Sequence, residues 1–209
     1  MTSALLTADE PAPVAIRRPG GVSPLLLACD HAGRRVPAGL RRLGLAEAEF
    51  DRHIAWDIGI AAVSRLVSDA LDATLIEQVY SRLVIDCNRP PASPGSIPVL
   101  SEATPIPGNR DLAEADRVAR RTAVFEPYHA AIATALDGRA ARPTVLVAMH
   151  SFTPVYLGEG RPWHVGTLYG RDGRLAAALG ALLRREPGLV VGDNEPYAVS
   201  DETDHTIPV

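Results

Sequence analysis

Short apolar runs that stop abruptly at polar residues are the main pattern along this chain. Runs of four to eight apolar residues bounded by Gly, Pro or charged residues are typical of strands that are buried on both faces. The segments predicted as strands on this basis are 24–29, 73–76, 81–87, 144–149, 164–169 and 189–191.

Helical periodicity separates several of these runs. Residues 47–71, 111–136 and 173–185 carry apolar positions at three- and four-residue spacing, and Pro127 is expected to kink or divide the second segment. The alternation predicts an α/β fold with a mixed, mainly parallel sheet flanked by helices. The strand at 81–87 is expected to be antiparallel to its neighbour, because the link from residue 76 is too short for a crossover.

The remaining segments set the expected domain limits. Residues 1–22 lack periodicity and predict a flexible N-terminal arm, which leaves residues 23–209 as a single α/β domain. Residues 90–109 are rich in proline, and a non-periodic segment of this length inside a domain is usually a functional loop or a disordered one.

Composition and charge exclude several function classes. The net charge of −4 does not indicate a basic surface that would bind nucleic acid or anionic membranes. All 21 basic residues are arginine, which excludes a Schiff-base lysine and a phosphate-binding P-loop lysine. We find neither a signal peptide nor an apolar stretch of membrane-spanning length, so a cytoplasmic location is expected. Cys29 and Cys87 lie inside apolar runs and are predicted to be buried thiols.

Three predicted strands end in polar side chains that a buried sheet does not need. These endings are Asp30-His31, Asn88-Arg89 and His150-Ser151. Ligands of open α/β sheets bind beyond the carboxyl ends of the strands. A single histidine here could be a structural residue, but three such endings together favour a functional site.

The histidines suggest a metal. His31 and His150 could bind one Zn²⁺ together with a carboxylate and a water molecule. Asp30 and Asp57 are the available carboxylates, either as the third ligand or as an acceptor that orients a histidine. His53 and Asp57 share a helical spacing, which permits a metal or relay pair and equally a plain surface hydrogen bond.

The arginines suggest an anionic ligand. Arg82 and Asn88 are six residues apart and share a face of a regular strand, while Pro90 favours a turn that brings Arg89 to the same side. Such a group can bind a carboxylate and polarise a carbonyl oxygen, although surface arginines beside a proline-rich loop would have the same sequence. Ser151 lacks the G-x-S-x-G context of a nucleophile.

Seven ordered segments give the chain a strong family resemblance. They are CDHAGRRVP (29–37), HIAWDIG (53–59), YSRLVIDCNR (80–89), IPGN (106–109), HSFTP (150–154), RPWHVGTLYG (161–170) and DNEPYAVSD (193–201). Together they resemble the N-formylglutamate amidohydrolase family. The resemblance implies a fold related to the zinc carboxypeptidases (phosphorylase/hydrolase-like), and hydrolysis of N-formyl-L-glutamate to formate and glutamate in histidine breakdown.

The resemblance also implies roles for particular residues. His31 and His150 match the zinc histidines, and Arg82 with Asn88-Arg89 matches the substrate clamp. Arg34 occupies the place where the carboxypeptidases have a glutamate ligand, so Asp30 is the first choice for the third metal ligand and Asp57 the second.

The catalytic candidates are Asp57 and Arg82, as a carboxylate that serves the attacking water and a guanidinium that stabilises the oxyanion. Ser151 and Tyr197 are expected to contact a small N-acyl amino acid substrate. Association with further copies of the chain stays open.

One departure from the family supports an alternative. Family members continue beyond the stretch at 206–209 into a strand with an I-E-x-R-like segment, whose glutamate is the implied general base, whereas this sequence stops at Val209. The domain is therefore either truncated at its C-terminus or works without that glutamate. The alternative is a catalytically impaired relative that binds amino acids; a related enzyme acting on another N-acyl amino acid is the other option.

Overall fold

The structure is a computed structural model that describes residues 5–208. Residues 1–4 of the predicted arm and Val209 lie outside the described residues. The strands are β1 (Val14–Arg17), β2 (Leu25–Cys29), β3 (Thr74–Gln78), β4 (Leu100–Ser101), β5 (Thr104–Pro105), β6 (Val145–Ala148), β7 (Val155–Tyr156), β8 (Glu159–Gly160), β9 (Val165–Thr167) and β10 (Val191–Asp193). The α-helices are α1 (Ile60–Leu71), α2 (Glu114–Arg120), α3 (Glu126–Asp137) and α4 (Arg174–Leu183).

Four strands form the central sheet, in the order β1-β3-β2-β6. Strand β2 is parallel to both β3 and β6, whereas β1 is antiparallel to β3. The prediction of a mixed, mainly parallel sheet with helices is confirmed. Strands β9 and β10 form a separate parallel pair beside α4, so the C-terminal strands do not extend the central sheet.

Burial on both faces explains why β2 is a continuous apolar run. Leu26 and Ala28 belong to the large core, whose members on α3 are Tyr128 and Ile132. Leu27 and Cys29 belong to a second core with Ile60 and Ala61 of α1. Alternate side chains of a strand point to opposite faces, so a helix on each face removes the need for polar positions. Both cysteines are buried and unbonded to each other, as predicted.

The strand predicted at 81–87 does not form. Leu83, Val84 and Ile85 are buried, but the segment is a series of turns rather than a member of the sheet. Ser81 starts these turns: its carbonyl accepts from the Val84 amide (2.9 Å), and its hydroxyl donates to Ala55 O (2.6 Å). Apolar runs of this length do not distinguish a buried strand from other buried backbone.

The helix predicted at 47–71 begins only at Ile60. Residues 47–51 form a separate short helical turn, and Gly59, with φ of +82°, breaks the path between the two. The spacing also predicts an apolar face with Ile54, Ile58, Ala61, Ala62 and Leu66, and this is wrong in part, because Ile58 is 51% exposed and Leu66 is 70% exposed. Helix α1 instead buries Ile60, Ala61, Ser64 and Ser68, since small side chains let its backbone approach the sheet.

The helical segment at 111–136 is divided, as expected from Pro127. A wider turn at Arg121–Phe125 separates α2 from α3. Proline has no N–H to donate one turn back, which frees carbonyls upstream of it and allows the wider turn to form. No helix within residues 5–208 is long and apolar enough to cross a membrane.

Two predicted flexible segments are ordered where they are described. Residues 14–17 of the predicted arm form β1, which pairs with β3 from Val14–Gln78 to Arg17–Leu75. The main-chain hydrogen bonds of an edge strand fix a segment that lacks apolar periodicity. Residues 90–109 form short turns and the β4–β5 hairpin, and Asn109 at their end is buried.

Arg120 stabilises the turns at 81–89 through hydrogen bonds. Its guanidinium is 2% exposed and donates to Val84 O (3.0 Å), Asn109 Oδ1 (2.6 Å) and Gly108 O (2.9 Å). Asn109 in turn donates to Leu83 O (2.9 Å). Burial lowers the pKa of Arg120 to about 10, so the group stays cationic at neutral pH.

We expect Arg120→Met to lower the free energy of unfolding by about 3 kcal/mol, because it leaves several buried acceptors unpaired. Urea unfolding followed by circular dichroism measures the change. Arg185→Met, at an exposed position after α4, is the matched control and should change stability by less than about 0.5 kcal/mol. Equal stability of the two variants would contradict the role assigned to Arg120.

Candidate metal centre

The site lies where two neighbouring parallel strands end. Asp30 and His31 follow β2, and His150 lies two residues beyond β6. The amide of Met149 donates to Ala28 O (2.7 Å), which extends the pairing of β2 and β6 and brings His150 beside Asp30. The carboxyl ends of parallel strands meet at one edge of the sheet, so the polar endings converge there.

Glycine is required at position 33 for this arrangement. A Cβ at Gly33 would lie 1.9 Å from Val79 O, so only glycine lets the chain pass so close to the residue after β3. The contact fixes the turn that follows His31. It gives a physical reason for the glycine in the CDHAGRRVP segment.

Asp57 reaches the same point from the turn before α1. Its amide donates to His31 O (3.0 Å), and its Oδ2 accepts from the Ser151 amide (3.1 Å). Backbone contacts to the segments after both strands therefore hold this carboxylate between His31 and His150.

The two imidazoles face Asp57 with the same ring nitrogen. Nδ1 of His31 lies 3.4 Å from Asp57 Oδ1, and Nδ1 of His150 lies 3.1 Å from Asp57 Oδ2. Within residues 5–208, His31, Asp57 and His150 are the group whose potential ligand atoms all lie within 4.8 Å of one another. His31 and Asp57 are buried, whereas His150 is exposed.

The other ring nitrogens face two further aspartates. Nε2 of His31 donates to Asp86 Oδ1 (2.7 Å), and Nε2 of His150 lies 3.0 Å from Asp30 Oδ2. Asp30 is itself held by Thr206, whose hydroxyl donates to Oδ1 at 2.7 Å. Each histidine therefore lies between Asp57 and a second buried carboxylate.

Arg82 completes the cluster. Its Nη2 donates to Asp86 Oδ2 (2.6 Å), and its Nη1 lies 3.5 Å from Asp57 Oδ1. When both histidines are protonated, Arg82, His31 and His150 balance the charges of three carboxylates. The balance explains how so many ionisable groups share one buried volume.

The mutual attraction of these groups controls their protonation. Burial acts to raise the pKa of Asp57, but His31 and His150 outweigh it and hold this pKa well below its usual range. Burial acts to lower the pKa of His150, whereas its hydrogen bonds to Asp30 and Asp57 raise it to about 10. Burial and the nearby Arg82 act to lower the pKa of His31, whereas Asp86 and Asp57 raise it. The carboxylates outweigh the other two effects, so the pKa of His31 is raised.

Asn88 and Arg89 do not face the two histidines with free polar groups. Asn88 Nδ2 donates to Asp204 Oδ1 (3.1 Å), and its Oδ1 accepts from the amides of His205 and Thr206. Arg89 Nη1 donates to Thr203 O and lies 3.9 Å from Asp204 Oδ1.

The two side chains of Asn88 and Arg89 thus anchor residues 203–206, and a substrate-binding role for them stays a prediction. Arg82 and Asn88 do not share the face of a strand as predicted, because residues 81–89 form turns.

The other predicted site residues have defined places. Ser151 donates through Oγ to Ile58 O (3.0 Å), so its hydroxyl braces the turn that carries Asp57. Tyr197 is 49% exposed and accepts a hydrogen bond from Arg161 (2.6 Å). His53 does not pair with Asp57: its Nε2 lies 3.0 Å from Glu102 Oε1 instead.

Sequence reasoning missed Asp86 and Thr206. Asp86 is the single acidic residue inside the apolar run at 83–87, and a charge at such a position requires a buried partner. That signal was available in the sequence. Thr206 had no comparable signal, because its contact with Asp30 joins residues 176 positions apart.

Fold and site together define an α/β protein in which His31, Asp57 and His150 come close enough to hold a metal ion at the edge of the sheet. The sequence model of the N-formylglutamate amidohydrolase family matches residues 23–208, and the chain belongs to this family. Membership supports an amidohydrolase role and implies a small-molecule substrate.

Two solved structures resemble the chain. A gene product of Agrobacterium tumefaciens is 41% identical with a TM-score of 0.90, and the match covers 95% of this chain and 79% of that one. An N-formylglutamate amidohydrolase from Ralstonia eutropha is 24% identical with a TM-score of 0.63, and the match covers 89% and 77%. The second likeness concerns the fold alone. No curated protein matches the chain significantly.

Proposed function

We propose that the protein is a zinc-dependent amidohydrolase that cleaves N-formyl-L-glutamate, or a similar N-acyl amino acid, to formate and the free amino acid. The observation that carries the proposal is the convergence of His31, His150 and Asp57 on one point at the edge of the sheet. A cytoplasmic place in histidine breakdown follows from the family resemblance and stays part of the proposal.

The donor set fits zinc. With bonds of about 2.0–2.1 Å, tetrahedral zinc separates neighbouring ligand atoms by about 3.3 Å. The nitrogen–oxygen separations at Asp57 are of this size, with 3.4 Å from His31 Nδ1 to Oδ1 and 3.1 Å from His150 Nδ1 to Oδ2, and one potential ligand atom of each of the three residues lies within 4.8 Å of the others. Nδ1 of His31 is buried without a hydrogen-bond partner, as expected of an atom that is a metal ligand. Three protein ligands leave the open position of a catalytic zinc site.

The charge of the cluster also fits a divalent cation. Two protonated histidines contribute two positive charges that balance the carboxylates together with Arg82. Replacing those two protons by one divalent ion leaves the total charge unchanged. Exchange of metal for protons therefore avoids the cost of an uncompensated buried charge.

Asp30 and Asp86 would orient the histidines rather than bind the ion. Each accepts from, or faces, the Nε2 atom that a Nδ1-bound histidine leaves free. Such carboxylate–histidine–metal arrangements fix the tautomer and the ring orientation. The sequence favours Asp30 as the third metal ligand. In the proposed arrangement Asp57 is the third ligand, and Asp30 is the acceptor that orients His150. It also supports a fold relationship with the zinc carboxypeptidases, which we include in the proposal.

In the mechanism, His31, Asp57 and His150 would hold the zinc ion, which would supply the Lewis acidity needed to activate water at neutral pH and to polarise the formyl carbonyl. Hydrolysis adds the water oxygen to the formyl carbon, breaks the C–N bond and returns a proton to the leaving amine. Arg82 Nη1 lies beside Asp57, where it can donate to the oxygen that becomes negative. Its two hydrogen bonds to Asp86 hold the guanidinium in place for this role.

One observation favours the second candidate, an amino-acid-binding relative without hydrolysis. Within the part of the chain that the structure describes, the carboxylates in contact with His31 and His150 are Asp30, Asp57 and Asp86. Each is already paired with a cation, so none is free to take a proton from water.

Formate release separates the two functions. We expect the zinc-loaded protein to release formate and glutamate from N-formyl-L-glutamate in equal amounts. Chelation should stop the reaction and added zinc should restore it, because the ion supplies the Lewis acid. Binding of the substrate without formate release would support the second candidate, and full activity after complete removal of metal would exclude the metal mechanism.

Zinc binding should release protons. In the metal-free protein the hydrogen bonds to Asp30 and Asp57 raise the pKa of His150 to about 10, so this ring is protonated at pH 7, and a metal ligand must be deprotonated. The apparent zinc affinity should therefore rise with pH up to about pH 10, by about tenfold per pH unit for the proton that His150 loses. Calorimetry in buffers of different ionisation enthalpy counts the protons, and release of none would contradict the assigned ligands.

A further inference from the structure

Arg161 lies in an aromatic cage formed by Phe152, Tyr156 and Tyr197. It follows the β7–β8 hairpin, and its guanidinium carbon is 4.8 Å from the ring centres of Tyr156 and Tyr197 and 5.9 Å from that of Phe152. Nη2 donates to the Tyr197 hydroxyl at 2.6 Å. The rings attract the cation and fix its position, but they do not neutralise its charge.

Arg161 also differs from the other arginines of the site in its partners. Arg82 is paired with Asp86, and Arg89 lies near Asp204. Among residues 5–208, no carboxylate lies within ion-pair distance of Arg161, whose side chain is only half-buried. A guanidinium fixed in this way is ready to bind an anion from solution.

A short stretch of chain connects the cage to the metal centre. Arg161 Nη1 donates to Thr153 O (3.4 Å), and the segment leading to Thr153 begins at Ser151, whose amide contacts Asp57. On its other side, the cage is closed by Tyr197, whose hydroxyl accepts from Arg161 Nη2 at 2.6 Å.

We propose that Arg161 and Tyr197 form the subsite for the side-chain carboxylate of the substrate. The inference rests on the proposed function and restricts it to N-acyl amino acids with acidic side chains. Because the Tyr197 oxygen accepts from Arg161, its own O–H remains available to donate to the same carboxylate. Two charge-assisted hydrogen bonds then distinguish an acidic side chain from its neutral amide.

The test compares N-formyl-L-glutamate with N-formyl-L-glutamine, which has nearly the same shape and no side-chain charge. Arg161→Met should lower kcat/KM for the glutamate substrate about 100-fold and change that for the glutamine substrate less than about threefold. Tyr197→Phe should also lower kcat/KM for the glutamate substrate, by about tenfold. Arg174→Ala is the control. Arg174 lies in α4 and its side chain is 90% exposed, so this change should leave kcat/KM for both substrates unaltered.

Equal losses on both substrates would overturn the proposal, because they would show that Arg161 only holds the hairpin in place. An unchanged preference for glutamate in Arg161→Met would overturn it as well. Thermal unfolding of each variant shows whether the fold is intact, and Tyr197→Phe, which retains the ring, provides a second variant with minimal structural change.

A binding measurement keeps the inference separate from the proposed function. If the wild-type protein releases formate from neither substrate, the proposed hydrolysis fails, and calorimetry of the zinc-loaded protein with glutarate and with its monoamide tests the subsite alone. The wild type should prefer glutarate at least about tenfold, and Arg161→Met should remove the preference. Absence of any preference in the wild type, or its persistence in the variant, would overturn the subsite.

Discussion

Replacing Asp57 by asparagine should reduce the zinc affinity of the protein by at least about 1,000-fold and abolish hydrolysis. The substitution retains the size of the side chain and an oxygen that can accept from the Ser151 amide, but it removes the charge that faces His31 and His150. A lost ligand should cost more than the roughly 10–100-fold that is typical of residues which only orient ligands. Competition with a chromogenic chelator measures the affinity.

Asp30→Asn is the matched comparison for this prediction. Asp30 lies against Nε2 of His150 and is anchored by Thr206, so its loss should lower zinc affinity by about 10–100-fold. The order of the two effects is the decisive result. A greater loss in Asp30→Asn than in Asp57→Asn would make Asp30 the third ligand, as the sequence alone suggests.

Replacing Arg82 by alanine should lower kcat for N-formyl-L-glutamate by about 100- to 1,000-fold, the range typical for loss of an oxyanion donor. Zinc affinity should fall by less than about tenfold, because Arg82 contacts Asp57 and Asp86 and neither histidine. Steady-state kinetics at saturating zinc separates the two effects. Arg82→Lys should recover only part of the rate, since an ammonium does not reproduce the two-point contact with Asp86.

Arg89→Ala provides the comparison for Arg82. Its guanidinium is engaged with Thr203 O and lies near Asp204, so we expect its removal to loosen residues 203–206 rather than to slow the chemical step. The unfolding temperature should fall while kcat changes less than about tenfold. A larger loss of kcat in Arg89→Ala than in Arg82→Ala would support the predicted role of Arg89 in binding the substrate.

The sequence predicted the sheet far better than the irregular backbone. Strands β2, β3 and β6 were found as short apolar runs: β2 and β3 are buried almost throughout, whereas β6 is a partly buried edge strand. The same signal failed at 81–87, where the apolar side chains enter the core from turns. Strand β1 was missed because an edge strand with one paired side requires little apolar pattern.

The site was predicted in part. Polar residues at strand ends marked His31 and His150, and the parallel sheet places them together. The pairing of each ring with a particular carboxylate could not be predicted, because it depends on how the loops at 57, 86 and 206 return to the edge of the sheet.

By itself, the sequence determined the family, the mainly parallel sheet and the two histidines at its edge, since apolar runs and polar endings are local features of the chain. Only the tertiary structure placed Asp57 between the histidines, Asp86 and Asp30 behind them, and Arg161 in its aromatic cage. Those contacts join residues far apart in the chain, and their distances follow from the packing of loops that no local pattern describes.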